Sequence, residues 1–186
     1  MSVSCHYLHE PTKFGVVGII WHEPEGKIRI IRIFLAENKE SAEKMVHNNY
    51  LNAFPSSNTL ILEHTRKIQK FLSGQQVKFY LDILAFEMCS SFQRCVLLAE
   101  KDIPWGMVST YDRIGKFIGF YRGARAVGHA LATNPFPIII PCHRAIRSDL
   151  ALGGYQGGMD MKRTLLEFEG VKISEKGKVV TPKYYY

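Results

Sequence analysis

Between Asn134 and Arg144, three prolines (Pro135, Pro137 and Pro141) fall within seven residues and leave the chain few backbone choices. A proline fixes φ, offers no amide and pushes the preceding residue out of the helical region. A helix reaching Asn134 must therefore stop, and the chain must turn extended there. Asn134 can tie this turn through its side-chain amide. The stiffened segment delivers one thiol, Cys142, followed by His143 and Arg144, with no carboxylate nearby. A free cysteine ionises near pH 8.5, so only about 3% is thiolate at neutral pH, and adjacent cationic groups can lower that value. The spacing predicts a reactive thiolate at Cys142. By itself, a cysteine after three isoleucines is usually a small buried hydrophobe.

The rest of the chain bears on that choice. With 186 residues, 46% hydrophobic and 22% charged, it has material for one large or two small cores. No run approaches the roughly 18 apolar residues of a membrane helix, and Met1 to Glu10 lacks the layout of a signal peptide. The expectation is a protein that stays inside the cell, cytoplasmic, or nuclear in a eukaryote, with no membrane partner. Cys5, Cys89, Cys95 and Cys142 form no CxxC pair, which argues against a zinc module or a disulfide scaffold. A Cys89–Cys95 bridge and a zinc role for Cys5 with nearby histidines stay open, but no metal and no cofactor is expected.

The net charge of +7 is only mildly basic. Its distribution says more: Arg113 to Ser148 contains no Asp or Glu, yet holds Arg113, Lys116, Arg122, Arg125, Arg144 and Arg147. Such a stretch suits contact with a polyanion, or else forms a solvated helix face.

Val- and Ile-rich runs at Phe14 to Trp21 and Lys27 to Leu35, separated by Pro24-Glu25-Gly26, predict a hairpin. Helical patterns follow at Lys39 to Leu51 and Leu60 to Leu72, then a strand at Val77 to Leu84. The expected organisation is an N-terminal α/β scaffold over 1–85, with a small antiparallel sheet and helices, a mostly α C-terminal domain over 86–175, and a tail, 176–186, ending in a frayed Lys183-Tyr184-Tyr185-Tyr186.

In the second domain, helical patterns at Ser91 to Glu100, Thr110 to Ile118 and Arg122 to Thr133, with a break at Gly119, suggest a helix-turn-helix. The third helix is slim: Gly123, Ala124, Ala126, Gly128, Ala130 and Ala132 surround Arg125. Major-groove readers project long polar side chains at base edges, and few are present here. The reading is minor-groove, largely sequence-independent contact with double-stranded DNA, against the alternative that small residues only permit close helix packing.

Ile103-Pro104-Trp105-Gly106-Met107-Val108-Ser109-Thr110-Tyr111, Ala124-Arg125-Ala126-Val127-Gly128, Asn134-Pro135-Phe136-Pro137, Ile140-Pro141-Cys142-His143-Arg144, Gly153-Gly154-Tyr155-Gln156-Gly157-Gly158 and Lys162 to Gly170 stand in order. Together they closely resemble the O6-alkylguanine-DNA alkyltransferase family over roughly residues 90–171. The resemblance implies an RNase H-like N-terminal domain and a winged helix-turn-helix, acting as a monomer. It also implies direct-reversal repair, in which an alkylated guanine is flipped from duplex DNA and its alkyl group moves irreversibly to Cys142.

Each role suits the chemistry. Displacing guanine from carbon needs a soft nucleophile, and a thiolate is the strongest that side chains offer. The resemblance makes His143 a general base acting through a water, because adjacent side chains on an extended segment point apart, with Glu169 as its orienter. Tyr111 would protonate the leaving base or turn the phosphate that swings the nucleotide out. Arg125 would fill the stacking vacancy, with Ala124, Ala126, Gly128 and Tyr111 beside it against DNA. Pro137, Ile146, Tyr155, Gln156 and Gly157 would wall the base pocket, and Asn134 would belong to the catalytic set. Gln156 stands where relatives often carry a small hydroxyl residue, and His129 where a glycine is common.

Three other readings compete. An alkyltransferase-like protein binds lesions without transfer, but such proteins lack the nucleophilic cysteine. A helix-turn-helix regulator would leave Pro141-Cys142-His143-Arg144 and Glu169 idle, and a thiol hydrolase lacks an oxyanion or acyl-pocket signature.

Overall fold

A computed structural model describes residues 4–180 and 182–186. The chain divides into two compact units, Met1–Met88 and Cys89–Tyr186.

The first unit is built on a four-stranded sheet of order β3-β2-β1-β4, from β1 (Cys5–Thr12), β2 (Gly15–His22), β3 (Arg29–Ala36) and β4 (Ala53–Pro55). β1 and β3 both run antiparallel to β2, whose burial is nearly continuous, as befits a central strand. Gly18 lies opposite Phe34, and a Cβ there would fall 1.9 Å from the ring, so the phenyl ring occupies the glycine's side-chain space. Helix α1 (Lys39–Asn49), capped by Asn38 on the Ser41 amide, returns the chain so that β4 pairs parallel with β1. The sheet is therefore mixed rather than antiparallel, because a helical crossover joins β3 to β4. Helix α2 (Thr59–Leu72), capped by Asn58, buries Ile61, Thr65, Ile68 and Leu72 along one stripe.

The strand expected at 77–84 does not form. Only a single bridge, Ile30 to Leu84, reaches the sheet, while Arg29 holds the Asp82 carbonyl and pairs with Glu87 at 2.8 Å. Phe79, Ile83 and Leu84 bury their side chains without a ladder, so packing rather than pairing consumed the apolar pattern.

The second unit is mostly helical: α3 (Ser91–Asp102), α4 (Tyr111–Phe117), α5 (Ala124–Ala132) and α6 (Gly158–Phe168), with two-residue strands β5 (Ser109–Thr110) and β6 (Ala145–Ile146) paired in parallel. Ser90 caps α3 and Thr110 caps α4. α4 and α5 pack together across a turn at 118–123, in which Gly119 takes φ +77°. Val108, Ile146, Leu152, Leu166, Val171 and Val179 form a core beside them.

The expected frayed tail is docked instead. The Val108 amide donates to the Lys183 carbonyl and the Tyr185 amide to that of Val108, both at 2.9 Å. The Tyr186 ring stacks on Phe117, its hydroxyl donates to the Ala99 carbonyl, and the Arg113 guanidinium lies over Tyr184. Three aromatic rings with apolar and cationic partners have more to gain by packing than by fraying.

Candidate active site

Asn134 follows α5 and is fully buried. Its Oδ1 accepts from the Phe136 amide at 2.9 Å, and its Nδ2 donates to the Ile140 carbonyl at 3.2 Å. One side chain thus fastens both ends of the proline-rich segment. The chain then coils: Cys142–Arg144 forms a 3-10 turn, closed by the Cys142 amide on Ile140 and the Arg144 amide on Pro141, both at 2.8 Å. The turn replaces the extended geometry that would have thrown Cys142 and His143 to opposite faces.

His143 and Glu169 are both buried, with His143 Nε2 2.9 Å from Glu169 Oε1. Glu169 sits just past α6, and its carboxylate also accepts Arg144 Nε at 2.9 Å and Nη2 at 2.8 Å, and the Gly106 amide at 3.2 Å. Burial opposes its ionisation, but the hydrogen bonds and charges of His143 and Arg144 win and hold it down at about 2. With Glu169 accepting from Nε2, the neutral ring carries its proton there and presents an acceptor at Nδ1. Burial lowers His143 below its ordinary value despite Glu169, so the ring rests neutral, as a base must.

The resting sulfur differs from expectation. Arg144, which was to help ionise it, is committed to Glu169 and to the Ile103 carbonyl at 2.6 Å. Burial dominates at Cys142 and lifts the thiol to about 11, with Asn134 pulling the other way. No thiolate is preformed; the proton has to be removed as the reaction proceeds.

Cys142 opens onto a cavity of about 780 Å³ lined also by Tyr111, Ala124, Arg125, Gly128, Tyr155 and Gln156. Tyr111 begins α4, and burial raises its hydroxyl to about 12, so it is a proton donor at neutral pH. The Tyr155 ring stands edge-on to His143 at 6.2 Å between centroids, and its buried hydroxyl has no hydrogen-bond partner among the described residues. Gln156 Nε2 donates to the Asn134 carbonyl at 2.7 Å, which ties the Tyr155 loop to the end of α5. Arg125 is exposed at the cavity edge.

Other expected residues stand elsewhere. Ile146 belongs to the core of the second unit, because β6 turns it inward. Pro137 is buried within the 134–141 turn, where it bridges to Ile140. Gly157 caps α6, and neither it nor Ala126 reaches the cavity. Conversely, Arg147, Ser148 and Asp149 line the cavity unforeseen, as do Leu131 and Ala132. Two fully buried ionisable side chains, Glu100 and Lys162, were also missed. Their signal was a charge set in an apolar helical stripe, Val96-Leu97-Glu100 and Met161-Lys162-Leu165. No disulfide joins Cys89 and Cys95, and among the described residues no group of three or more His, Cys, Asp or Glu could hold a metal. No helix among them is long and apolar enough to cross a membrane.

The sequence model of the 6-O-methylguanine DNA methyltransferase family, DNA binding domain, matches residues 91–171. A methylated-DNA–protein-cysteine methyltransferase of Archaeoglobus fulgidus is 36% identical over 129 residues, which are 66% of this chain and 84% of that protein. This chain belongs to the methylated-DNA–protein-cysteine methyltransferase family. Within that family, the protein of Methanothermobacter thermautotrophicus is 46% identical over 106 residues, 57% of this chain. The match spans 59% of that relative's length. A crystal structure of Mycobacterium tuberculosis OGT in complex with DNA superposes at TM-score 0.71 and 28% identity, covering 88% of this chain and 92% of that one. The O6-methylguanine-DNA methyltransferase of Pyrococcus kodakaraensis gives TM-score 0.66 at 27% identity, covering 90% and 99%. Both neighbours share the methyltransferase family's α/β architecture with this chain.

Proposed function

We propose that this chain repairs DNA by direct reversal, taking the alkyl group of O6-alkylguanine onto Cys142 once per molecule. The observation that carries this reading is a buried thiol opening onto a cavity with ample room for a purine, with the neutral His143 next to it in sequence and held by the Glu169 carboxylate. The Cys142 proton passes, through a water, to His143 Nδ1, and Glu169 stabilises the imidazolium that results. The sulfur attacks the alkyl carbon and a C–S bond forms as the C–O6 bond breaks. The electron pair leaves with guanine, which takes a proton from the Tyr111 hydroxyl, and the proton held on His143 passes through water to the phenolate, so that the thiol proton ends on the released base. The thioether has no leaving-group chemistry to regenerate the thiol, so one turnover ends the protein's activity.

Duplex DNA is the partner in this reading, bound through the minor groove with little sequence preference and by a monomer. α4, the 118–123 turn and slim α5 act as a winged helix-turn-helix, and the sheet of residues 1–88 as an RNase H-like scaffold. Arg125, flanked by Ala124 and Gly128, fills the space of the extruded nucleotide, while Tyr155 and Gln156 wall the base. Cytoplasm, or nucleus in a eukaryote, is the location that DNA repair requires. Incubation with DNA carrying radiolabelled O6-methylguanine tests the reading: label moves to the protein, stops at one equivalent, and is absent from Cys142→Ala. Tight binding without transfer would instead make it a lesion-binding protein, and strong preference for one operator-like sequence a regulator.

A further inference from the structure

Arg147, Ser148 and Asp149 line the Cys142 cavity and take no part in the steps above. They lie on a tight turn that leaves the buried strand β6: the Arg147 amide donates to the Ala151 carbonyl at 2.9 Å and the Leu150 amide to the Arg147 carbonyl at 3.0 Å, with Leu150 at φ +69°. The Val179 amide fastens the turn further by donating to the Leu150 carbonyl at 2.9 Å. A fixed backbone therefore presents these side chains. Ser148 also lines a neighbouring cavity of about 670 Å³, together with Arg113 and with Lys116, which is itself paired with Asp112. The mouth of the Cys142 cavity thus continues, over this turn, into a groove that carries two further cationic side chains.

Asp149 sets how Arg147 is held. Arg147 Nε donates to Asp149 Oδ1 at 3.1 Å and Nη2 to Oδ2 at 3.2 Å, while Oδ1 also accepts from the Ala151 amide at 3.3 Å. The carboxylate is anchored to the backbone and grips one edge of the guanidinium. The other edge, made by Nη1 and the second N–H of Nη2, has no hydrogen-bond partner among the described residues. Two such parallel N–H groups match two oxygens of a phosphate. Stability does not account for the pair, because its side chains are 60% and 49% exposed and an ion pair in water contributes little. What its position offers is a preset cation at the mouth of the cavity. A nucleotide whose base enters that cavity leaves its phosphates at the mouth, since base and phosphate are its opposite ends.

We propose that Arg147 is a phosphate-binding residue of the transfer site: its free edge holds a backbone phosphate of the nucleotide whose base enters the Cys142 cavity, and Asp149 presents it for that contact. Arg125 and Arg147 then divide the work from two elements, one filling the vacated stack and the other holding the displaced backbone. The proposal rests on the reading of this cavity as the base site, and its test measures binding rather than transfer.

The full-length chain carrying Cys142→Ser, so that no alkyl group is taken up, is titrated against a fluorescent duplex with one O6-methylguanine, and anisotropy gives the binding constant across a range of salt concentrations. Arg147→Gln is expected to make the plot of log K against log salt shallower by about 0.9, the slope of one phosphate contact, and to weaken binding roughly tenfold. Arg147→Lys should keep the slope but not the affinity, since an ammonium has no fork. Arg163→Gln controls for diffuse charge, because Arg163 is likewise paired with a carboxylate, Glu167: an equal change of slope there, or none at Arg147, overturns the proposal. Asp149→Ala should not tighten binding although it removes an anion; tightening would make Asp149 a competitor of DNA and overturn its presenting role. On undamaged duplex, where no nucleotide is extruded, Arg147→Gln should lose less affinity, and an equal loss would place the phosphate elsewhere on the duplex and overturn the proposal. An unchanged slope in a chain that, with Cys142 intact, accepts label from DNA removes only the role of Arg147. A shallower slope in a chain that accepts none removes only the repair reading.

Discussion

Glu169 holds His143 and Arg144 at once, with His143 Nε2 2.9 Å and Arg144 Nη2 2.8 Å from the same Oε1. One buried carboxylate therefore orients the base and absorbs the guanidinium that would otherwise charge the cysteine site. Glu169→Gln should leave Arg144 buried without its anion and cost about 3–5 kcal/mol by denaturant unfolding, a typical figure for breaking a buried pair. It should also slow single-turnover transfer by at least about tenfold, a loss that Glu169→Asp partly restores.

Acid stability should report the same carboxylate. Glu169 is held at about 2, below its value in the unfolded chain, so its contribution is complete above about pH 4.5 and lost as pH falls towards 2. The shift corresponds to about 3 kcal/mol, and wild type should lose roughly that much over this interval relative to Glu169→Gln in urea titrations.

Glu100 has the opposite sign. Its folded value, about 8, lies above the unfolded one, so stability present below about pH 4.5 is lost as pH rises through 8. Glu100→Gln should match wild type near pH 4.5 and exceed it by about 2–4 kcal/mol near pH 9, which thermal unfolding at the two pH values would show.

Gly153 takes φ +72°, and a Cβ there would meet the Tyr111 hydroxyl at 2.6 Å, whereas a Cβ on Gly154 meets nothing within 4 Å. Gly153→Ala should cost about 1–2 kcal/mol and displace Tyr111 from the cavity wall, slowing transfer. Gly154→Ala is the control; equal effects in single-turnover assays would remove Tyr111 from the argument.

Arg125 is exposed at the cavity edge, so Arg125→Ala should leave stability within about 0.5 kcal/mol of wild type. Repair in duplex DNA should fall far more than reaction with free O6-benzylguanine, since only the duplex demands extrusion. Equal losses on the two substrates would count against the intercalation role.

Much of this protein is written locally. The hairpin of β2 and β3, helices α1 to α5 and the stop at Asn134 follow from period, caps and proline chemistry, which act over a few residues and survive in any context. Cys142 and His143 could likewise be read from the chain, whereas Glu169 stood out only through the family resemblance. Tertiary structure decided the rest. β1 is a strand because β2 and β4 flank it, although its polar, histidine-bearing pattern carries little strand signal; residues 77–84 carry that signal and stay out of the ladder. The three terminal tyrosines pack because Phe117, Arg113 and the Val108 backbone wait for them. Cys142 read alone among cations looks ionised, yet Glu169 arrives from 27 residues away to claim Arg144, and burial protonates the sulfur. Charge state depends on desolvation and on which partner is taken, and both are properties of the packed chain that no local window of sequence contains.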